Sequence, residues 1–316
     1  MSRGLTAGLT LRAIASKLGR AASTISREVA RNGGRHRYRA VLAGERALQV
    51  ARRPKPCLLS VHDRLRSVVA GKLALKWSPQ QIAGFLKREH GDEEAMQVSH
   101  ETIYKSLFIQ ARGVLKKELL AVLRSRRLMR RCHGARSSGM KRSLIVDAVS
   151  IRERPACAED RAVPGHWEGD LLMGGIGSRI ATLVERHSRY VVLVKIGAKS
   201  SEDVVAALAR KVKTLPEHMI ASLTWDRGTE LARHASFKMA TNVDVFFCDP
   251  HSPWQRGSNE NTNGLLRQYF PKGCNLKSIS EAELDAVAAE LNGRPRHTLG
   301  FQTPAEVFAK AVALTG

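Results

Sequence analysis

The chain has no Cys-x-x-Cys pair: its five cysteines, Cys57, Cys132, Cys157, Cys248 and Cys274, are scattered and odd in number. That excludes a disulfide framework and a clustered zinc site, and a reducing, cytoplasmic location is expected. No run of about eighteen apolar residues occurs, and no apolar segment opens the chain, so neither a membrane span nor an export signal is expected. Acidic residues are in short supply. Only 29 Asp and Glu face 52 Lys and Arg, a formal charge of +23. A chain that is 43% hydrophobic is not excluded from folding by its composition, so this excess belongs to folded surfaces. Polyanions, nucleic acid first among them, are the partners such surfaces favour.

The acid shortage is confined to one half. Residues 1–150 hold 31 Lys and Arg against 10 Asp and Glu, whereas residues 151–316 hold 21 against 19. Within the basic half, Thr10 is placed to cap a helix through LRAIASKLG, with Leu11, Ile14, Ala15 and Leu18 at helical spacing. Gly19 ends that helix, and Ser23 is expected to cap a second, TISREVARN. Two short helices across a tight turn make a helix-turn-helix pattern, or else an ordinary helical hairpin. In the first reading Thr24, Ser26, Arg27 and Arg31 line the DNA-facing side of the second helix. The module looks short at its start, with no clear helix ahead of Thr10.

An Arg-rich arm with Pro54 and Pro56 closes the first region, expected over 1–56. A second helical region is expected over 57–123. Ser78 and Pro79 open SPQQIAGFLKREH, and Ser99 opens SHETIYKSLFIQ with Thr102 and Tyr104 facing outward. This is either a second helix-turn-helix or a plain bundle. Residues 124–159 read as a basic linker, densest over 124–142, and 160–316 as a separate domain.

From 160 onward the pattern changes to short β-branched runs. HWEGDLLM, IATLVE and YVVLVKI read as strands; SEDVVAALARKVKTL is an amphipathic helix; IASLTWD and VDVFFCD are two more strands. Three strands, a helix, a strand, a helix and a strand is the order of a ribonuclease-H-like mixed sheet, giving an α/β core behind N-terminal all-α modules. Asp170 lies in the first strand, Asp226 closes the fourth, and Glu260 begins a helix. Strand ends and a nearby helix can bring such groups together. Three crowded carboxylates repel unless a cation joins them, and all-oxygen donors suit Mg²⁺ or Mn²⁺. Two such ions would clamp both oxygens of a phosphodiester displacement. Taken singly, such an acid is more often a turn or cap residue than a ligand.

The segments GHWEGDLL, TLVERHSRY, LTWDRGTE, FFCDPHSPWQRGSNENTNGLLRQYFPKG and LNGRPRHTLGFQTPAEVF closely resemble the IS30 (insertion sequence thirty) family of bacterial transposases. The likeness runs through nearly all of 160–310 and extends to the helix-turn-helix segment and SHETIY. It implies a DDE transposase whose catalytic and metal-binding acids are Asp170, Asp226 and Glu260, with two Mg²⁺ or Mn²⁺ ions as cofactors. It also implies binding of double-stranded DNA (terminal inverted repeats and target), strand cleavage by water, and strand transfer by the freed 3′-OH. The expected assembly is a homo-oligomer on DNA at the nucleoid. Arg256, Asn263 and Arg267 are expected to contact DNA, the last two sharing the face of Glu260; His251 and Gln255 are further candidates. Trp254 is expected to pack its loop, Glu168 and His166 to support the site, and Glu185 and Asp249 to serve turns or salt bridges. The alternative is a catalytically inactive DNA-binding protein descended from such an enzyme.

Overall fold

The computed structural model describes residues 1–51, 57–108, 119, 123, 148–159, 161–197, 200–226, 228, 231–250 and 252–315. The Pro54–Pro56 arm, the basic stretch 124–142 and His251 lie outside the described residues. Contacts divide the chain into two units, Met1–Pro56 and Cys57–Gly316.

The first unit holds α1 (Ser2–Thr6), α2 (Leu11–Lys17), α3 (Ala22–Arg31), α4 (Gly34–Arg37) and α5 (Ala40–Ala51). Thr10 Oγ1 accepts the Ala13 N–H at 3.2 Å and starts α2, and Gly19, at φ +61°, turns the chain after it. Ile14 and Ala15 of α2 pack against Ile25 and Val29 of α3, with Tyr38 and Ala43 closing the core. Two expectations are corrected. A helix does precede Thr10, but α1 is too short to show a period in sequence. Ser23 is not the cap of α3: the helix begins at Ala22, behind Ala21, which has no side chain to cap with.

In the second unit, α6 (Leu58–Val61), α7 (Asp63–Ala74), α8 (Pro79–Glu89) and α9 (His100–Phe108) gather around Leu59, Leu65, Leu73, Ile82, Leu86 and Ile103. Ser78 and Gln81 form a reciprocal capping box at α8, and Ser99 Oγ accepts the Thr102 N–H at 3.2 Å at α9. Tyr104, expected to face outward, packs part-buried on this helical core.

The α/β core has β1 (His166–Met173), β2 (Arg179–Glu185), β3 (Val191–Lys195), α10 (Ser201–Val212), β4 (Ser222–Trp225), α11 (His234–Thr241), β5 (Asp244–Phe247), α12 (Gly257–Leu266), α13 (Glu281–Asn292) and α14 (Pro304–Thr315). The five strands lie in the order β3-β2-β1-β4-β5. The β3–β2 and β2–β1 pairs are antiparallel, while β1–β4 and β4–β5 are parallel. Period-two alternation splits the sheet into two faces. Trp167, Leu183, Val192, Leu223, Trp225 and Phe247 pack with α10, α11 and α14. Leu172, Ile180, Val184 and Leu193 pack with α12 and α13.

The helical region is docked on the core. A Cβ on Gly84 of α8 would lie 2.0 Å from the Phe301 ring, so only glycine admits this contact. Beside it Gln81 Nε2 donates to Pro295 O at 2.8 Å, and Arg88 donates to both Glu306 oxygens at 2.9 and 2.6 Å.

Candidate active site

The parallel β1–β4 register determines which acids meet. His166 pairs with Ser222 and Glu168 with Thr224; the same offset separates Asp170 from Asp226. Both acids therefore fall on the sheet face that α12 covers, at the ends where the chain leaves β4. Gly169, between Glu168 and Asp170, lies against the indole of Trp225, where a Cβ would come within 2.1 Å of the ring. The glycine of WEGD is what lets β1 and the Trp-Asp corner of β4 approach.

Asp170 Oδ1 accepts the Leu171 N–H at 2.8 Å and its Oδ2 accepts Asn263 Nδ2 at 2.9 Å. Asp226 Oδ1 accepts the Gly228 N–H at 3.1 Å. Between the two carboxylates stands one guanidinium: Arg256 lies 3.3 Å from Asp170 Oδ2 and 3.5 Å from Asp226 Oδ2, and donates to Gly169 O at 3.1 Å. Burial pushes the Asp170 carboxyl above its usual range, with the charge of Arg256 opposing and that of Asp226 reinforcing the rise. For Arg256 burial works against the charge, but the two aspartates hold it above its ordinary value.

Glu260 is exposed on the first turn of α12. Among the described residues no three His, Cys, Asp or Glu side chains lie close enough to hold one ion, so Glu260 is not gathered with the two aspartates here. The aspartate pair itself fits a cation. Its two Oδ2 atoms already converge on a guanidinium that stands in for one, and Asn263 Oδ1, beside Asp170, is buried without a partner. An all-oxygen donor set of this kind suits a hard divalent ion.

Glu168, two residues back on the same face, has a different duty. It is fully buried, pairs with Arg186 at 2.7 Å and accepts the Asn259 N–H at 3.0 Å. Asn259 Nδ2 in turn donates to Glu168 O at 2.9 Å, so Glu168 pins the first turn of α12, which bears Glu260. His166 is also structural, its Nδ1 lying 2.8 Å from Ser222 Oγ. Glu185 accepts the His187 N–H at 3.0 Å in the turn after β2, and Asp249 accepts Gln255 Nε2 at 3.2 Å.

The residues expected at DNA separate into two groups. Arg256 contacts both aspartate carboxylates and Asn263 that of Asp170. Arg267 donates to Met173 O at 3.0 Å and Phe270 O at 3.3 Å, tying the end of α12 to the end of β1. Trp254, expected to pack its loop, is 72% exposed, a correction that sequence hydrophobicity could not supply.

An integrase core domain family matches residues 160–253, and a helix-turn-helix domain family matches residues 2–32. The chain is 50% identical over 315 residues to the transposase InsI of insertion sequence IS30A from Escherichia coli K12, covering 99% of this chain and 82% of that protein. This chain belongs to the IS30 family of transposases. The transposase of IS1086 from Cupriavidus metallidurans is 47% identical over 96% of this chain and 90% of its own length. That of IS4351 from Bacteroides fragilis is 33% identical over 96% and 91% respectively.

Two surfaces of this transposase suit a polyanion. On α3, Thr24, Ser26, Arg27 and Arg31 are all exposed while Ile25 and Val29 face the core. In the second unit, adjoining grooves of about 250 and 400 Å³ share Gln80, His297 and Phe301. They run from Asn261 on α12 across Arg296 to Lys87 on α8 and His100 at the start of α9, and among the described residues that line them none is Asp or Glu. Among the described residues no helix is long and apolar enough to cross a membrane.

Proposed function

We propose that this transposase binds the terminal inverted repeats of an insertion sequence through α3 and cuts and joins DNA strands at the face shared by β1, β4 and α12. The observation carrying this reading is the approach of Asp170 and Asp226 to one guanidinium, that of Arg256, in an integrase-type core. Asp170 and Asp226 would hold Mg²⁺ or Mn²⁺, with Glu260 brought in from α12. The bound ions supply charge neutralisation at the scissile phosphate and lower the pKa of the attacking hydroxyl. The chain's own residues do the positioning. Asn263 fixes the rotamer of Asp170, the Gly228 N–H that of Asp226, and Glu168 holds the turn carrying Glu260. Water is the first nucleophile and the freed 3′-OH the second, so no covalent enzyme intermediate is required. The groove from Asn261 to His100, with Lys76, Lys87, Arg294 and Arg296 along it, would guide the flanking duplex toward α9, whose first turn is the second candidate reading element. Pairing two ends calls for an oligomer assembled on DNA, acting in the cytoplasm at the nucleoid.

Incubating the full chain with end-bearing duplex and Mg²⁺ tests the reading. Nicking and joined products are expected, and Asp226→Asn should remove them while the DNA gel shift persists. A wild-type protein that shifts DNA and never cuts it would favour the binding-only alternative.

A further inference from the structure

Arg256 and Trp254 lie two residues apart on the short turn Pro253–Arg256 and face opposite ways, one 8% and the other 72% exposed. Gln255, between them, is held by Asp249: its Oε1 accepts the Asp249 N–H at 2.8 Å and its Nε2 donates to Asp249 Oδ2 at 3.2 Å. The turn thus has a fixed middle, an inward cation and an outward indole. Arg256 occupies the point between Asp170 and Asp226 at 3.3 and 3.5 Å, looser than the 2.7 Å pairing of Arg186 with Glu168. A guanidinium and a divalent ion cannot occupy the same two oxygens, because like charges at contact distance repel strongly in a part-buried site.

We propose that this turn is a counter-ion latch: Arg256 keeps the aspartate pair closed to divalent metal until a DNA base docks on Trp254 and the turn moves Arg256 away. The proposal rests on the reading of Asp170 and Asp226 as metal-binding acids. Stacking of an unpaired base on an indole contributes roughly 1–3 kcal/mol and tolerates any sequence, which suits a sensor of a base freed at a DNA end rather than of a particular sequence. Once withdrawn, the guanidinium exchanges two carboxylates for phosphate oxygens, which its planar fork fits equally well. Metal binding and DNA binding then strengthen each other by the same factor. The pair would stay metal-poor while no DNA is bound.

Calorimetric titration of Mn²⁺ into the full chain, with and without a short end-bearing duplex, tests this without any turnover. In wild type, DNA should tighten Mn²⁺ binding by at least about tenfold, within the usual range of coupling between two sites. Arg256→Gln should bind Mn²⁺ at least about tenfold more tightly than wild type in the absence of DNA, whereas Arg256→Lys, which keeps the charge, should stay weak. Trp254→Ala, a change at an exposed position, should leave DNA-free Mn²⁺ binding unchanged and abolish the gain on adding DNA. Indole emission gives a second readout, since Trp77, Trp167 and Trp225 are 7%, 2% and 1% exposed and Trp254 alone is open to quenching by bases. Equal Mn²⁺ affinity for wild type and Arg256→Gln, or tight wild-type binding with no DNA, overturns the latch while leaving the metal site standing. Absence of Mn²⁺ binding in every protein, with DNA present, overturns both the latch and the metal reading beneath it.

Discussion

Two acid–arginine pairs stand two residues apart on the same face of β1, and they are built to opposite ends. Glu168 is fully buried, its partner Arg186 is 4% exposed, and a backbone N–H of α12 completes the set at 3.0 Å. Burial draws the Arg186 guanidinium down to about 10, with Glu168 opposing, so the acid is what keeps this cation tolerable inside the protein. Asp170 and Asp226 share Arg256 at longer distances, with side chains 23% and 43% exposed. A closed pair with both carboxylate oxygens engaged holds structure together. An open pair, with longer ion contacts and a route to solvent, can exchange its cation. Only the second pair is open to exchange, although sequence spacing treats Glu168 and Asp170 alike.

Isosteric neutralisation of each acid gives the sharpest contrast. Asp170→Asn should lower strand cleavage by on the order of 10³-fold, the scale for losing an electrostatic group acting on the transition state, and leave the melting temperature near that of wild type. Arg256 keeps Asp226 as a partner in that variant, and a carboxyl that burial already disfavours has been removed. Glu168→Gln should behave in reverse. It leaves Arg186 buried and uncompensated, a loss of about 3–5 kcal/mol in stability, and should unfold before any defect in chemistry can be isolated. Denaturant melts and cleavage rates on both proteins decide it. A stable, inactive Glu168→Gln would make Glu168 a ligand and erase the distinction.

Gly169 separates the two pairs and offers a milder test. An alanine there meets Trp225 at 2.1 Å, and the indole is flanked in sequence by Asp226. Overpacking of this kind costs about 1–3 kcal/mol of stability. Because Trp225 would be displaced, cleavage should fall by a further factor approaching ~10² through misplacement of Asp226. Comparison of the melting temperature with single-turnover cleavage separates the two losses. A variant that loses stability alone would show that Asp226 is not positioned through its neighbour.

Much of this arrangement is legible before any coordinates. Alternation of apolar residues gives β1 to β5 in order, and Thr10, Ser78 and Ser99 announce their helices because a cap is a local interaction. The aspartate pair is picked out by the family resemblance and not by spacing, because the offset between β1 and β4 is known only once their parallel register is. What sequence hides is long-range. The roles of Arg256 and Glu168 each depend on a partner brought in by the sheet or by α12, and nothing in the local spacing around either residue marks it. Ser23 and α1 were hidden for a different reason: a helix that begins behind an alanine, and one of five residues, leave no local mark. Trp254 defeats the rule that indoles are buried, and an exposed aromatic beside a candidate site is where such a rule is expected to fail.

The seam between the helical region and the core supplies a third acid–arginine pair, and the smallest effect. Arg88 and Glu306 are bidentate like a structural pair, yet their side chains are 35% and 40% exposed like an open one. The hydrogen bonds from Arg88 pull the Glu306 carboxyl down to about 2. A carboxyl whose folded value lies below its ordinary value stabilises the folded state above that ordinary value, near 4.5, and loses the contribution as the pH falls toward 2. Solvent exposure limits the effect to about 1 kcal/mol or less. Wild type and Glu306→Gln should therefore differ slightly in stability at neutral pH and converge as the pH is lowered through that window, in paired denaturant melts. The Gly84–Phe301 contact would keep the seam closed throughout, because packing does not titrate. Proteolysis that opens the seam in acid as fast as it cleaves Glu306→Gln at neutral pH would show instead that the ion pair, not the packing, holds α8 to the core.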